Sequence, residues 1–185
     1  MKKSTFLKEY LKHPKIVGAV SPASKFLIEN VVKAIDFSKA DVIVELGAGH
    51  GNFTKALLKR MNRRQKILVF EIHPAFFADL SKTIKDSRAI LINDTAQKLD
   101  IYLKQHGIVK ANYVVSSLPL TLWPLPEVEK LLRRIKNILA PNGKLIQWTY
   151  FMKHLSFFKQ HFSRIRLKFT LFNFPPTFVY VCSKE

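Results

Sequence analysis

The sequence predicts an α/β fold: a doubly wound, mostly parallel seven-stranded sheet with one antiparallel edge strand, preceded by helices. Three observations predict it. From residue 42 onward, short apolar runs alternate with stretches of helical periodicity, the pattern of a parallel sheet covered on both faces. The first run ends in a glycine bend, Gly47-Ala48-Gly49-His50-Gly51, that opens a helix. Two β-rich stretches close the chain in succession, which predicts an antiparallel pair at one edge.

Residues 2–13 read as a short amphipathic helix. Phe6, Leu7, Tyr10 and Leu11 share one face, Lys3, Lys8 and Lys12 lie largely off it, and Pro14 stops it. A second helix is expected over 22–34, with Ser21 as N-cap and Pro22 at its first position. Residues 1–35 are thus cap helices ahead of one compact unit, 36–185. The run Val42-Ile43-Val44-Glu45-Leu46 is a buried strand, and a helix over 53–60 follows the bend. Next come a strand over 67–70, a helix over 76–85, and strands over 89–92 and 113–116. The helix over 127–139 ends at Pro141-Asn142-Gly143, a stop-and-turn signal. A strand over 144–150 and a helix over 153–162 lead to β-rich stretches 165–172 and 178–182, divided by Pro175-Pro176. Ligands of such sheets bind outside the carboxyl ends of the strands, where strand order reverses.

A chain of 185 residues, nearly half of them hydrophobic, suits one domain with a real core and is not a disordered tail. Charge interrupts every apolar stretch before it could span a bilayer. The start Met1-Lys2-Lys3 suggests a signal peptide, but Lys8, Glu9, Lys12 and His13 break the apolar run it would need, so a cytoplasmic location is expected. The single cysteine, Cys182, agrees with a reducing compartment and reads as an inert strand residue. The six histidines show no metal-ligand spacing, so no metal is expected, and nothing indicates an oligomeric state. The net charge of +18 implies an anionic partner. Nucleic acid would be bound by counterion release, and an anionic membrane surface gives about 1 kcal/mol per nearby cation. Charge alone does not choose between them.

The glycine bend is not a dinucleotide fingerprint, because its third glycine, Gly51, comes one place early and Asn52 stands where that glycine should be. Glu45, two residues before Gly47, would repel a pyrophosphate but can accept from a cationic ammonium. The pattern E-x-G-x-G-x-G resembles the first motif of class I S-adenosylmethionine-dependent methyltransferases, and the later motifs arrive in order over most of the chain. The resemblance implies a Rossmann-like domain with S-adenosylmethionine as cofactor. Glu45, Gly47, Ala48, Gly49 and Gly51 would line its amino-acid end. Glu71, which closes the second strand, would accept both ribose hydroxyls. Ile72 would pack on the adenine, Asp94 with Thr95 would take its amino group, and Ser116 would stand beside them.

At the end of the fourth strand lies Ser116-Ser117-Leu118-Pro119-Leu120. Amino-methylating relatives read N-P-P-Y or N-L-P-Y here. Their Asn side chain and a backbone carbonyl accept from the target amine, and their aromatic stacks on a flipped base. Ser117 replaces the Asn and Leu120 the aromatic, removing a stacking contact worth about 1–3 kcal/mol. This disfavours the ribosomal RNA adenine dimethyltransferases, which the glycine motif also resembles. Those enzymes carry a further helical domain, and the 35 residues after Tyr150 are expected to complete the sheet instead. The segment is more similar to the S-x-L-P motif of the soluble bacterial phospholipid N-methyltransferases. Phe6-Leu7, Pro14, Val17-Gly18-Ala19-Val20, Pro22 and Ser24 resemble the entry of that family. The resemblance implies methylation of phosphatidylethanolamine toward phosphatidylcholine, at the inner face of the membrane, by a peripherally bound enzyme. Ser117, Leu118, Pro119 and Tyr150 would serve transfer, and Phe6, Leu7 and Tyr10 would dock the N-terminal helix on the anionic surface. Trp123 and Tyr150 would face the methylated ammonium, with Trp148 in ordinary core packing. RNA is the alternative partner. His50 and His73 read as loop residues, and no proton acceptor is identified.

Overall fold

The computed structural model describes residues 23–184. The expected amphipathic helix with Phe6, Leu7 and Tyr10, and the helix start at Ser21 and Pro22, lie outside the described residues. The first described helix, α1 (Lys25–Val32), is capped by Ser24, whose Oγ accepts from the Leu27 amide at 3.2 Å. A short 3-10 turn, Phe37–Lys39, leads into β1 (Val42–Leu46). The alternation then runs α2 (Asn52–Arg60), β2 (Lys66–Phe70), α3 (Pro74–Thr83), β3 (Ala89–Ile92), α4 (Leu99–Gln105) and β4 (Ala111–Ser116). It continues through α5 (Leu125–Ile138), β5 (Leu139–Thr149), α6 (Leu155–His161), β6 (Arg164–Thr170) and β7 (Thr177–Ser183).

Two differences from the sequence reading have local causes. Helix α4 was not expected; Leu99 and Leu103 are its buried positions, one turn apart, too short a pattern to stand out. Strand β5 begins earlier than expected, at Leu139, because the Pro141-Asn142-Gly143 turn is absorbed as a bulge between the Ala111–Leu139 and Tyr113–Lys144 pairs.

The sheet order is β3-β2-β1-β4-β5-β7-β6. Strands β3 through β5 are parallel neighbours, and β7 pairs antiparallel with both β5 and β6. The antiparallel pair therefore sits at one edge as expected. Its reversed member is β7, inserted between β5 and the outermost strand β6. Two apolar layers close the sheet. One packs α4, α5 and α6 against Val44, Leu46, Phe70, Val114, Leu145 and Tyr180. The other packs α1 and α2 against Ile43, Ile67, Val115, Ile146 and Val179. Helix α5 shows why: Val128, Leu131, Leu132, Ile135 and Ile138 form one buried stripe at helical spacing. Because the chain leaves β1 toward β2 and returns to its other side at β4, strand order reverses there, and a crevice is expected at the carboxyl ends of β1 and β4.

Candidate active site

The glycine bend is built by backbone ties. The amides of Gly47 and Ala48 donate to the Phe70 carbonyl at 2.9 and 3.1 Å, anchoring the bend to β2. The Ser117 amide donates to the Leu46 carbonyl at 2.9 Å and anchors the loop after β4 to β1. The two loops touch: a Cβ on Gly47 would lie 3.1 Å from Leu118 Cδ2, and Gly47 has φ of +77°. Gly49, at φ +57°, has open space where its side chain would be, so a ligand can approach its backbone. Gly51 is different. A Cβ there would meet Leu80 Cδ1 at 2.6 Å, and its amide already donates to the Ala48 carbonyl at 3.0 Å. At Gly51 the glycine is required by packing, which brings the start of α2 against α3.

Two carboxylates stand behind the bend. Glu71 accepts from the Gly49 amide through Oε2 and from the His73 amide through Oε1, both at 2.7 Å. Glu45 is fully buried; its Oε2 accepts from Thr54 Oγ1 of α2 at 2.7 Å, while Oε1 has no hydrogen-bond partner among the described residues. Burial pushes its carboxyl up to about 7, the Thr54 hydroxyl opposes this, and the Glu71 charge adds to it. Ile72 is half-buried just beyond Glu71. Asp94 is more engaged than the sequence suggested. Its oxygens accept from the Thr95 amide and Lys98 Nζ, both at 2.7 Å, and from the Tyr102 hydroxyl at 2.9 Å. Burial raises this carboxyl, but Lys98 and the two other donors outweigh it and hold it below the usual range. Thr95 also caps the 3-10 turn that follows, accepting from the Gln97 amide at 3.2 Å.

The loop after β4 carries two oxygens that are each tied to a neighbour from β5, and the Leu118 carbonyl also accepts from the Leu120 amide at 2.8 Å. Ser117 Oγ accepts from Trp148 Nε1 at 2.9 Å, and the Leu118 carbonyl accepts from Gln147 Nε2 at 3.0 Å. Ser116 is buried, and its Oγ accepts from the Leu118 amide at 3.4 Å. Pro119 opens the Leu120–Leu122 turn, and Leu120 is turned into the core at 4% exposure. Trp148 meets Tyr150 edge-on at 5.5 Å and stacks near Phe53 at 6.4 Å, making an aromatic corner against Ser117. The Tyr150 hydroxyl is buried with Asn173 alongside; burial raises its pKa and Asn173 partly opposes this. Both tryptophans pack against the core. Trp148 belongs to the corner, and Trp123 packs against the α4–α5 layer on the other side of the sheet.

Sequence reasoning missed Gln147, Trp148 and His154. The first two follow the buried run of β5 and carry no motif. His154 is buried beside Thr121, and burial, reinforced by Lys153, keeps its imidazole below its ordinary pKa, with Thr121 opposing. Its Nε2 has no hydrogen-bond partner among the described residues. His50 lies 3.4 Å from Asp79 at the surface, as befits a loop residue.

These features fit S-adenosylmethionine. The orphaned Glu45 oxygen can take an ammonium, the open flank of Gly49 leaves room for close approach, and Glu71 has lone pairs left for hydroxyls.

The comparisons agree with this reading. The family model for ribosomal RNA adenine dimethylase matches residues 23–122. An ornithine lipid N-methyltransferase of Singulisphaera acidiphila is 31% identical, over 96% of this chain and 93% of that protein. Ribosomal RNA small subunit methyltransferase A of Thermotoga petrophila is 27% identical over 71% of this chain, which spans 48% of that relative's length. Among solved structures, the N-methyltransferase NodS of Bradyrhizobium japonicum shares the fold with a TM-score of 0.69, at 10% identity over 85% of this chain and 93% of that one. With its sheet order, its glycine bend and the acids behind it, the chain belongs to the ribosomal RNA adenine dimethylase family of S-adenosylmethionine-dependent methyltransferases.

Proposed function

We propose that this methyltransferase acts on the amine of a membrane lipid, at the bilayer surface. The carrying observation is Leu120. Where a base-stacking aromatic would stand after the S-x-L-P segment, this side chain is buried in the core, so the loop offers no platform for a flipped base. The end-to-end likeness to an ornithine lipid N-methyltransferase supports the same reading. Phosphatidylethanolamine, the substrate expected from the sequence, and an ornithine headgroup share the required chemistry, an amine nitrogen with a lone pair.

The cofactor supplies a methyl group made electrophilic by its sulfonium. The chain's own residues orient the acceptor. Ser117 Oγ has a lone pair beyond the one used by Trp148 and can accept from an N–H of the amine, while the Leu118 carbonyl is taken up by the Gln147 side chain and the Leu120 amide, which fixes the loop around Ser117. Trp148 and Gln147 hold those oxygens still, and such orientation supplies several kcal/mol of a displacement barrier. The aromatic corner of Trp148, Tyr150 and Phe53 attracts an alkylated ammonium through its ring faces, which favours repeated methylation. His154, kept neutral by burial, is a basic group beside the turn that follows the loop. Among the described residues no helix is long and apolar enough to cross a membrane.

The RNA reading draws on the family match and on the charge of +18. Incubation with methyl-labelled cofactor, phosphatidylglycerol vesicles carrying either phosphatidylethanolamine or ornithine lipid, and small-subunit ribosomal RNA separates the two. Label in the lipid extract supports lipid N-methylation and names the headgroup. Label confined to the RNA refutes it.

A further inference from the structure

The outermost strand, β6, carries two unlike surfaces. On one face Arg164, Arg166 and Lys168 lie in register with Ser183, Val181 and Val179. With Lys33, Lys144 and Lys184 they line a cleft of about 930 Å³ between the end of α1, the start of β5 and this edge. Asp36 is the one acid among the described lining residues, and Lys39 already stands 3.8 Å from it. The cations crowd one another: burial first, then Arg166 and Lys33, hold the Lys168 ammonium below its ordinary pKa, and Lys184 is lowered by burial, Lys110 and Lys136. Cations on an edge strand discourage strand addition. That accounts for charge on β6 but not for a cleft that gathers more from α1 and β5.

At its far end β6 runs into a loop that inverts the usual arrangement. Asn173 is 3% exposed, accepting from the Ser24 amide at 3.0 Å and donating to the Pro175 carbonyl at 2.8 Å. The apolar residues around it point outward: Leu171, Phe172 and Phe174 are 62%, 71% and 86% exposed. Phe26 meets Phe172 in a tilted ring contact at 5.3 Å with Lys25 over its ring, and Phe151 and Met152 are exposed beyond the end of β5. Single exposed apolar residues are ordinary, whereas a cluster held out by a buried polar brace marks an interaction surface. Phe178 pairs with both Thr149 and Phe169, which places this cluster at the carboxyl end of β5, the end of the sheet that carries the catalytic crevice.

We propose that this edge is the membrane-docking face: Phe172, Phe174 and Phe151 enter the acyl boundary of an anionic bilayer, and the β6 cleft takes up lipid phosphate groups. The docking face rests on the lipid reading of the site and adds a surface to it. The seven residues of β6 span roughly 20 Å, from Arg164 in the cleft to the loop that carries the aromatics, so both can meet one bilayer with the edge laid along it. The arrangement, aromatic anchors with flanking cations, is that of an interfacial element.

The test uses the full chain, phosphatidylglycerol–phosphatidylethanolamine vesicles, and two variants, F172S/F174S and R164Q/R166Q/K168Q. Each is expected to lower vesicle partitioning at least about tenfold. The triple variant also loses most of the salt dependence, and the double variant keeps it. Cofactor affinity by calorimetry, and methyl transfer to amine lipid in neutral detergent micelles, should stay unchanged and certify the fold. Unaltered vesicle binding in both variants overturns the docking face, including the case in which residues 1–22 cover the aromatics. Loss of ribosomal RNA binding by the triple variant with vesicle binding intact overturns the phosphate assignment in favour of nucleic acid. If vesicle binding falls as expected but no lipid is ever methylated, the docking face stands and the lipid substrate fails. Lipid methylation with unaltered binding sinks the docking face alone.

Discussion

Replacing Glu45 by Gln tests the electrostatics of the crevice without touching its shape. The wild-type carboxyl moves from 4.5 to about 7 on folding, because burial disfavours its charge and Glu71 adds repulsion. At 1.36 kcal/mol per pH unit this corresponds to about 3 kcal/mol, undiminished by solvent because the side chain is fully buried. The folded state binds this proton more tightly than the unfolded chain. The stabilisation is therefore complete below pH 4.5 and is lost as pH rises through 7. Gln keeps an oxygen for the Thr54 hydroxyl and cannot ionise, so its contribution is flat. Urea unfolding of the cofactor-free proteins between pH 5 and 8 should show the variant gaining about 2–3 kcal/mol on the wild type across that range. Cofactor affinity should respond oppositely. An ionised Glu45 is needed to hold an ammonium, so wild-type binding should rise with pH up to about 7 and then level, while the variant stays weak throughout. Wild-type and variant stabilities that run parallel from pH 5 to 8 would refute both the raised carboxyl and the ammonium role built on it.

Two further substitutions separate ligand contacts from packing. Glu71→Ala removes the acceptor shared by the Gly49 and His73 amides and should weaken cofactor binding by about a hundredfold or more, with the circular dichroism spectrum retained; unchanged affinity by calorimetry would remove Glu71 from the site. Gly51→Ala puts a Cβ 2.6 Å from Leu80 at a left-handed backbone position and should cost about 2–4 kcal/mol in urea unfolding; a loss under about 1 kcal/mol would show that α2 and α3 are not in tight contact there.

The parts of this protein legible in its sequence are those encoded within a few residues. The β1 apolar run, the glycine bend and the acids Glu45 and Glu71 each sit at a strand end, so a linear reading finds them. Features that depend on pairing across the chain were not legible. Trp148 reads as one more apolar residue of β5 until its indole nitrogen meets Ser117, 31 residues away. The insertion of β7 between β5 and β6 is set by which apolar faces close together, and two consecutive strands look the same in either order. In sequence Phe172 is the end of a β-rich stretch and Phe174 lies just beyond it, with no signal of exposure at either. In the structure Asn173 is buried between them and both phenylalanines are exposed. Gly51 looked like its neighbours because sequence shows a missing side chain but not what fills the gap.

The bracing of Glu71 bears on how the enzyme can turn over. Its carboxylate already spans the backbone of two separate loops, a cross-member set in place when the protein folds. A nucleoside held there, as the resemblance implies, would meet a receiver whose ordering entropy was settled beforehand, so spent donor could leave and fresh donor enter without the crevice having to reassemble. Were the proposed lipid amine to be methylated more than once, a socket that keeps its form between donors would shorten the interval in which a half-finished acceptor can escape.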